Sequence, residues 1–181
     1  MTVIFVLGLM AGCGGGDSNI NSSPLVGVWI TETCEQAIND NIETTAWVKG
    51  LFEFTTQGTV TVGNVSYSDQ GIIKLGHIAY SDSNCVIATS TQTPSDVRIG
   101  RPILYQDLGE EVLQEGILGS RLTIGFTTPE SIQSVTGFYT LNNGSLCFSD
   151  NVTFEPFSSG VSPTGSSAID YENCLTKVDS P

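Results

Sequence analysis

The stretch FYTLNNGSLCF, at residues 138–148, decides the fold. Apolar and polar side chains alternate on both sides of Asn143-Gly144, and an Asn-Gly pair between alternating segments is the strongest short-range signal for a β-hairpin. We therefore expect two antiparallel strands joined by a tight turn. Helical spacing is weak by comparison, because the best candidate, residues 35–43, is interrupted by two Asn and one Asp and predicts at most one or two turns.

Other segments of the chain have the period of two that is typical of half-buried strands. We expect strands at residues 27–32, 46–54, 60–62, 65–67, 71–80, 85–91, 97–105, 112–118, 121–127 and 132–141. A bulge is expected at Gly63-Asn64, and strand ends at the two Tyr-Ser-Asp tripeptides, 67–69 and 80–82. Many short strands without crossover helices predict an all-β fold, an antiparallel up-and-down barrel of about 8–10 strands, with a β-sandwich as the alternative.

The length and composition favour a single exported domain. The 181 residues carry six Lys and Arg against nineteen Asp and Glu, a formal charge of −13. Such a charge repels a phosphate backbone and argues against nucleic acid as a partner. Hydrophobic residues make up 39% of the chain, enough to bury a core, so the chain is not a disordered acidic segment.

The N-terminus has the pattern of an export signal. The apolar run TVIFVLGLM, residues 2–10, is too short to span a bilayer, and it leads into Leu9-Met10-Ala11-Gly12-Cys13. That pentapeptide resembles a bacterial lipobox. The resemblance implies a signal peptide at 1–12, a diacylglyceryl group on Cys13, a flexible tether at 13–24 and one domain at 25–181. Glycine at position 14 implies sorting to the outer membrane. The alternative is an ordinary signal peptide, or a buried N-terminal strand that carries a free cysteine.

Four cysteines remain after Cys13, an even number in an exported chain, so two disulfides are expected. Three connectivities are possible. Cys34 follows the first strand and Cys85 begins another, whereas Cys147 and Cys174 both lie in the C-terminal quarter, so local pairing along the chain favours Cys34–Cys85 and Cys147–Cys174. A four-thiolate zinc site is disfavoured because no two of these cysteines have the close spacing of a zinc ribbon.

The segment Gly27-Val28-Trp29 resembles the Gly-x-Trp motif on the first strand of lipocalin-like barrels, and of small bacterial lipoproteins with such a domain. In those barrels the Trp closes the base and packs against a late Arg. No Arg follows Arg121 here, so the late cation would be Lys177. Strand parity adds interior residues, which line either a filled core or a cavity for an apolar ligand: Phe52, Phe54, Leu122, Ile124 and Phe126.

Candidates for chemistry are few. His77 is the only histidine, and no Gly-x-Ser-x-Gly element accompanies it, so a packed or surface role is expected. The acidic residues are interpreted as solvated charges (Glu110, Glu111 and Glu115) and as turn residues (Asp69, Asp82 and Asp150). We therefore predict no catalytic residue, cofactor or metal.

Two functional hypotheses follow. The first is a non-enzymatic envelope lipoprotein, anchored in the membrane at Cys13, whose barrel binds a small apolar ligand or lipid. The second has the same anchor and a filled barrel, which presents an acidic face or the 155–167 loop to a protein partner of the envelope.

Overall fold

The structure is a computed structural model, and it describes residues 23–37, 46–95, 102–113, 116–127, 132–150, 152 and 168–178. Within these ranges the chain forms eleven strands: β1 (Gly27–Thr31), β2 (Glu35–Gln36), β3 (Trp47–Phe54), β4 (Gly58–Val62), β5 (Val65–Tyr80), β6 (Ala88–Ser95), β7 (Ile103–Val112), β8 (Leu118–Thr127), β9 (Ile132–Asn142), β10 (Ser145–Ser149) and β11 (Ile169–Val178). In the same ranges, no helix has the length and apolar character needed to cross a membrane.

Eight of these strands close into an antiparallel up-and-down barrel. The barrel strands β1, β3, β5, β7, β8, β9, β10 and β11 are neighbours in chain order, and β11 pairs with β1 to close the ring. The three other strands add to this ring by pairing with its members, β2 with β3 and both β4 and β6 with β5. The predicted all-β barrel is confirmed, and it is compatible with a lipocalin-like fold.

The hairpin predicted at residues 138–148 is confirmed. Ser145 pairs with Asn142, so Asn143 and Gly144 form a two-residue turn. Both turn residues have positive φ, 50° and 88°, as a type I′ turn requires. This turn lies at the same end of the barrel as the start of β1 and Ser23. We call this end the Ser23 end.

The prediction for residues 60–82 is partly wrong. Gly63-Asn64 is the tight turn of the β4–β5 hairpin, not a bulge, because Val62 pairs directly with Val65. Tyr67-Ser68-Asp69 does not end a strand either. A register shift between Gly58 and Val60 instead places a bulge near Asp69, whose φ is 56°, and β5 continues for 16 residues. The bulge bends β5, so that one long strand serves both the β4 hairpin and the barrel.

The strand predicted at 112–118 is also wrong. These residues form the connection between β7 and β8, where Val112 pairs with Leu118 and Leu113 N–H donates to the carbonyl of Ile117. Gly109 lies inside β7 at a bulge with a φ of 88°. A bulge keeps a strand continuous where a glycine would otherwise suggest a break.

Other strand bounds differ from the sequence pattern. The strand expected at 85–91 is β6, Ala88–Ser95, and it includes Pro94, which a strand at the edge of a sheet tolerates. The strand expected at 97–105 begins at Ile103, within the described residues. Of the weak helix at 35–43, Glu35–Gln36 is strand, and residues 38–43 lie outside the described residues.

Both expected disulfides are present. Cys34–Cys85 joins the segment after β1 to the loop before β6, and Cys147–Cys174 links β10 to β11 at positions that pair across the sheet. Asp82 organises the loop that holds Cys85, because its carboxylate accepts hydrogen bonds from the backbone N–H groups of Asn84, Val86 and Ile87. These hydrogen bonds lower the pKa of Asp82, and the bond from Ile87 has the largest effect.

Candidate functional site

Large apolar side chains are buried together in the barrel interior. Of the residues expected there, Trp29, Phe52 and Phe54 are 1% exposed, and Leu122 and Ile124 are fully buried. The side chain of Phe126 lies outside the described residues. These five belong to one cluster, whose other members are Leu25, Ile73, Ile103, Tyr105, Tyr139, Leu146, Phe148, Val152 and Leu175. An eight-stranded barrel is just wide enough for such a set of side chains to fill it.

Aromatic rings meet at the centre of this cluster. The ring of Phe54 contacts Tyr105 edge to face, with centroids 5.2 Å apart, and stacks near Phe148 at 6.4 Å. The Phe148 ring lies 6.3 Å from that of Tyr139. Rings from β3, β7, β9 and β10 thus converge, so the strands are held together through the middle of the barrel as well as by their hydrogen bonds.

Trp29 closes the Ser23 end. Its indole N–H donates to the carbonyl of Leu25 at 2.7 Å, so the segment before β1 folds back over the barrel. Lys177, the cross-strand partner of Trp29 on β11, places its ammonium 5.3 Å from the ring centroid. The late cation beside the Trp is therefore Lys177, in a cation–π contact.

A polar network fixes the N-terminal segment to the same end. The carboxylate of Asp107 accepts a hydrogen bond from the Ser23 hydroxyl at 2.6 Å and one from the Tyr139 phenol at 2.8 Å. Gln57 accepts a bond from the Asp107 backbone N–H at 3.2 Å. Hydrogen bonds to a charged acceptor are stronger than neutral ones, so Asp107 ties the first described residue to β7 and β9.

Two tyrosines in this region stay protonated. Burial, and then the charge of Asp107, raise the pKa of Tyr105. Burial is also the main cause that raises the pKa of Tyr139, and its bond to Asp107 adds to the effect. Both phenols are therefore hydrogen-bond donors at neutral pH, Tyr139 to Asp107 and Tyr105 to the carbonyl of Thr55.

A cleft of about 500 Å³ opens over this network. Polar and acidic residues dominate its lining, among them Ser23, Gln57, Asp107, Glu110 and Tyr139. Volume of this order accommodates a small molecule. Its floor is the polar network rather than the apolar interior of the barrel.

The candidate catalytic residues do not form a constellation. His77 lies on β5, opposite Gly50 of β3 and Gln92 of β6, near the end of the barrel away from Ser23. Glu111 pairs with Arg121 at 2.6 Å, and Glu110 lines the cleft. The described residues thus place the histidine and the paired glutamates on different parts of the fold. Glu115 lies outside the described residues.

The aspartates expected in turns have different positions. Asp82 caps its loop, Asp150 follows β10, and Asp69 lies at the β5 bulge and lines the cleft. In the part of the chain that the structure describes, no group of three or more His, Cys, Asp or Glu side chains is arranged to hold a metal ion.

No family model, curated protein or solved structure matches this chain. Functional argument therefore depends on the residues and their geometry.

Sequence patterns did not single out the network at the Ser23 end. Asp107 lies between apolar and acidic residues of one strand, and Ser23 belongs to a segment interpreted as tether. One signal in the sequence points to it: Tyr105 and Asp107 share strand parity with Ile103, and this parity places a carboxylate on the core face, where it needs partners.

Proposed function

We propose that this protein is a lipid-anchored lipoprotein of the bacterial cell envelope, held at the outer membrane through Cys13, and that its barrel is a non-enzymatic scaffold for interaction with an envelope partner. The observation that carries the scaffold role is the filled interior. Fourteen buried side chains, among them six aromatic ones, occupy the space in which a ligand-carrying barrel would hold its ligand.

Two further observations support the anchor. The sequence at 9–13 has the lipobox pattern, and two disulfides are the expected chemistry of a domain that folds in an oxidising compartment. Cys13 and residues 14–22 lie outside the described residues. Ser23, the first described residue, donates a hydrogen bond to Asp107. A lipid at Cys13 would therefore be attached to the barrel at the Ser23 end.

An apolar ligand inside the barrel has less support. The cleft at the Ser23 end is polar and acidic, and the apolar interior is occupied by the rings of Phe54, Tyr105 and Phe148. An apolar molecule would have to displace packed side chains. The 155–167 loop, a candidate contact surface, lies outside the described residues.

The anchor is tested by metabolic labelling with a fatty acid in the full chain. We expect the label to be incorporated and to be lost in Cys13→Ser. Cys34→Ser is the matched control, because it also replaces one cysteine by serine, outside the lipobox, and should retain the label. Labelling that persists in Cys13→Ser contradicts the anchor. The scaffold role is tested by native mass spectrometry of the chain isolated from the envelope, where a bound apolar molecule contradicts it.

A further inference from the structure

Four of the nine exposed large apolar side chains of the described residues lie together at the Ser23 end, on the hairpin of β7 and β8 and the adjacent end of β9. Val112 and Leu118 are each 68% exposed, Leu141 is 41% exposed and Ile117 is 38% exposed. We call these four residues the rim patch. Soluble monomeric proteins rarely expose several large apolar side chains side by side. Such a patch indicates a surface that contacts a membrane or another protein.

Strand register places these residues together. Val112 pairs with Leu118 at the end of the β7–β8 hairpin, so the two side chains share a face. Ser120 pairs with Tyr139, and two residues further along each strand are Leu118 and Leu141. Ile117 belongs to the turn that Leu113 closes. The rim patch is thus the projecting edge of β7, β8 and β9.

The rim patch lies beside the origin of the tether. Leu118 has the parity of Ser120, and Ser120 lines the cleft together with Ser23 and Glu110. Nine residues lie between Cys13 and Ser23 in the sequence. Even a fully extended chain of that length spans at most about 35 Å. An anchor at Cys13 therefore keeps this end of the barrel close to the bilayer.

We infer that the rim patch inserts into the lipid interface and orients the barrel with its Ser23 end against the membrane. This inference rests on the proposed anchor, because the tether is what selects a lipid surface over a protein partner. Nearby charges favour a zwitterionic surface. Glu110 and Glu111 flank the patch, Arg121 neutralises only Glu111, and the whole chain carries a charge of −13. Anionic lipid is expected to weaken the contact.

The test uses the full chain, mixed with phosphatidylcholine vesicles that carry brominated acyl chains, which quench tryptophan on contact. The reporter is Val112→Trp, read against the parent chain with Trp29 and Trp47. The matched control is Val86→Trp, since Val86 is 76% exposed in the loop at the opposite end of the barrel. We expect strong quenching of the reporter, little quenching of the control, and less quenching with phosphatidylglycerol present.

A second variant measures the contribution of one side chain. Leu118→Ser in a full chain with Cys13→Ser should lower the vesicle partition coefficient roughly tenfold, since most of one leucine is then no longer buried in lipid. Leu108→Ser is the control, because Leu108 is also exposed but lies outside the rim patch. An equal loss in both variants contradicts the inference.

The anchor and the rim patch fail in different ways. If the chain carries acyl groups and floats with the vesicles, yet Val112→Trp is quenched no more than Val86→Trp, the patch inference is wrong and the anchor stands. If no acyl group is found but the Cys13→Ser chain still shows selective quenching at position 112, the anchor is wrong and the patch stands. Two other results would show that protein, not lipid, covers the rim patch, and would overturn the inference. One is a Val112→Trp emission spectrum that is already blue-shifted without vesicles. The other is a dimer of the parent chain that Leu118→Ser dissociates.

Discussion

Removal of the Phe54 ring should open a cavity in the barrel and destabilise it strongly. Phe54 is 1% exposed and contacts both Tyr105 and Phe148. We expect Phe54→Ala to lower the free energy of unfolding by about 3–5 kcal/mol, the usual range for a buried phenylalanine. Of this, about 1 kcal/mol comes from the edge-to-face contact with Tyr105. For a chain of this size the melting temperature should fall by roughly 10 °C or more.

The matched control is Phe138→Ala. Phe138 lies on β9 and is only partly buried, with the Arg121 guanidinium 6.0 Å from its ring centroid. We expect this variant to cost about 1 kcal/mol, since it loses a partly exposed ring and a weak cation–π contact. Both variants are compared by denaturant unfolding at equilibrium, with the disulfides kept oxidised so that a single transition can be fitted.

The same pair of variants tests whether the barrel is filled. A cavity lined by apolar side chains binds small apolar molecules, so Phe54→Ala should bind a benzene-sized ligand that the parent chain does not bind. Calorimetric titration of both proteins measures this. The reasoning is refuted if the parent chain binds the ligand as tightly as the variant, or if Phe54→Ala costs no more than Phe138→Ala.

Three further perturbations address the disulfides and the polar network. Replacing Cys147 and Cys174 together by Ala should cost about 3.5 kcal/mol in denaturant unfolding, from the loop entropy of a sequence separation of 27. Asp107→Ala should cost about 1.5–3 kcal/mol, because it removes two charge-assisted hydrogen bonds, and should speed proteolysis before Leu25. Because the pKa of Tyr139 is raised in the folded chain, its protonated phenol contributes fully to stability below pH 10, the ordinary tyrosine pKa, and this contribution is lost as the pH rises above that value. The free energy of unfolding should therefore fall less steeply at alkaline pH in Tyr139→Phe than in the parent chain.

Each of these variants has a control in the same chain. The control for Asp107→Ala is Glu110→Gln, because Glu110 lines the same cleft as Asp107. This substitution should leave the rate of proteolysis near Leu25 unchanged. Tyr171→Phe alters an exposed phenol and should leave the alkaline slope unchanged. A chain without the Cys147–Cys174 bridge that unfolds like the parent contradicts the assigned contribution. Equal proteolysis in Asp107→Ala and the parent contradicts the role of the network.

The architecture could be predicted from local patterns because the decisive signals are local. Asn143-Gly144 sets its own turn, and alternation on β3 and β8 places Phe52, Phe54, Leu122 and Ile124 inside without reference to other strands. The cysteine pairing also followed from neighbouring positions. These features depend on a few residues of adjacent sequence, where turn chemistry and side-chain parity decide the outcome.

The predicted strand bounds are wrong where a glycine can form either a turn or a bulge. Gly63-Asn64 was predicted as a bulge but is a turn, whereas Gly109 lies at a bulge, and only the register with the paired strand distinguishes the two uses of a glycine. The strand expected at 112–118 became a turn because β8 pairs back on β7 there. The β-propensity of a segment indicates that it can form a strand, whereas pairing with the neighbouring strand decides where that strand begins and ends.

The polar network could not be predicted for a related reason. Ser23 and Asp107 are 84 positions apart in the sequence, and neither belongs to a motif. Closure of the barrel brings them together, and only the closed fold shows that a carboxylate on the core face has a hydroxyl and a phenol as partners.

Intact mass measurement of the protein isolated from the cell envelope tests the central claim most directly. We predict an N-terminus at Cys13 that carries a diacylglyceryl group and an acylated amine, and a folded chain with no apolar molecule bound under native conditions. An unmodified Cys13 thiol, or an N-terminus elsewhere, would contradict the anchor. A stoichiometric apolar molecule released from the native protein would contradict the filled scaffold.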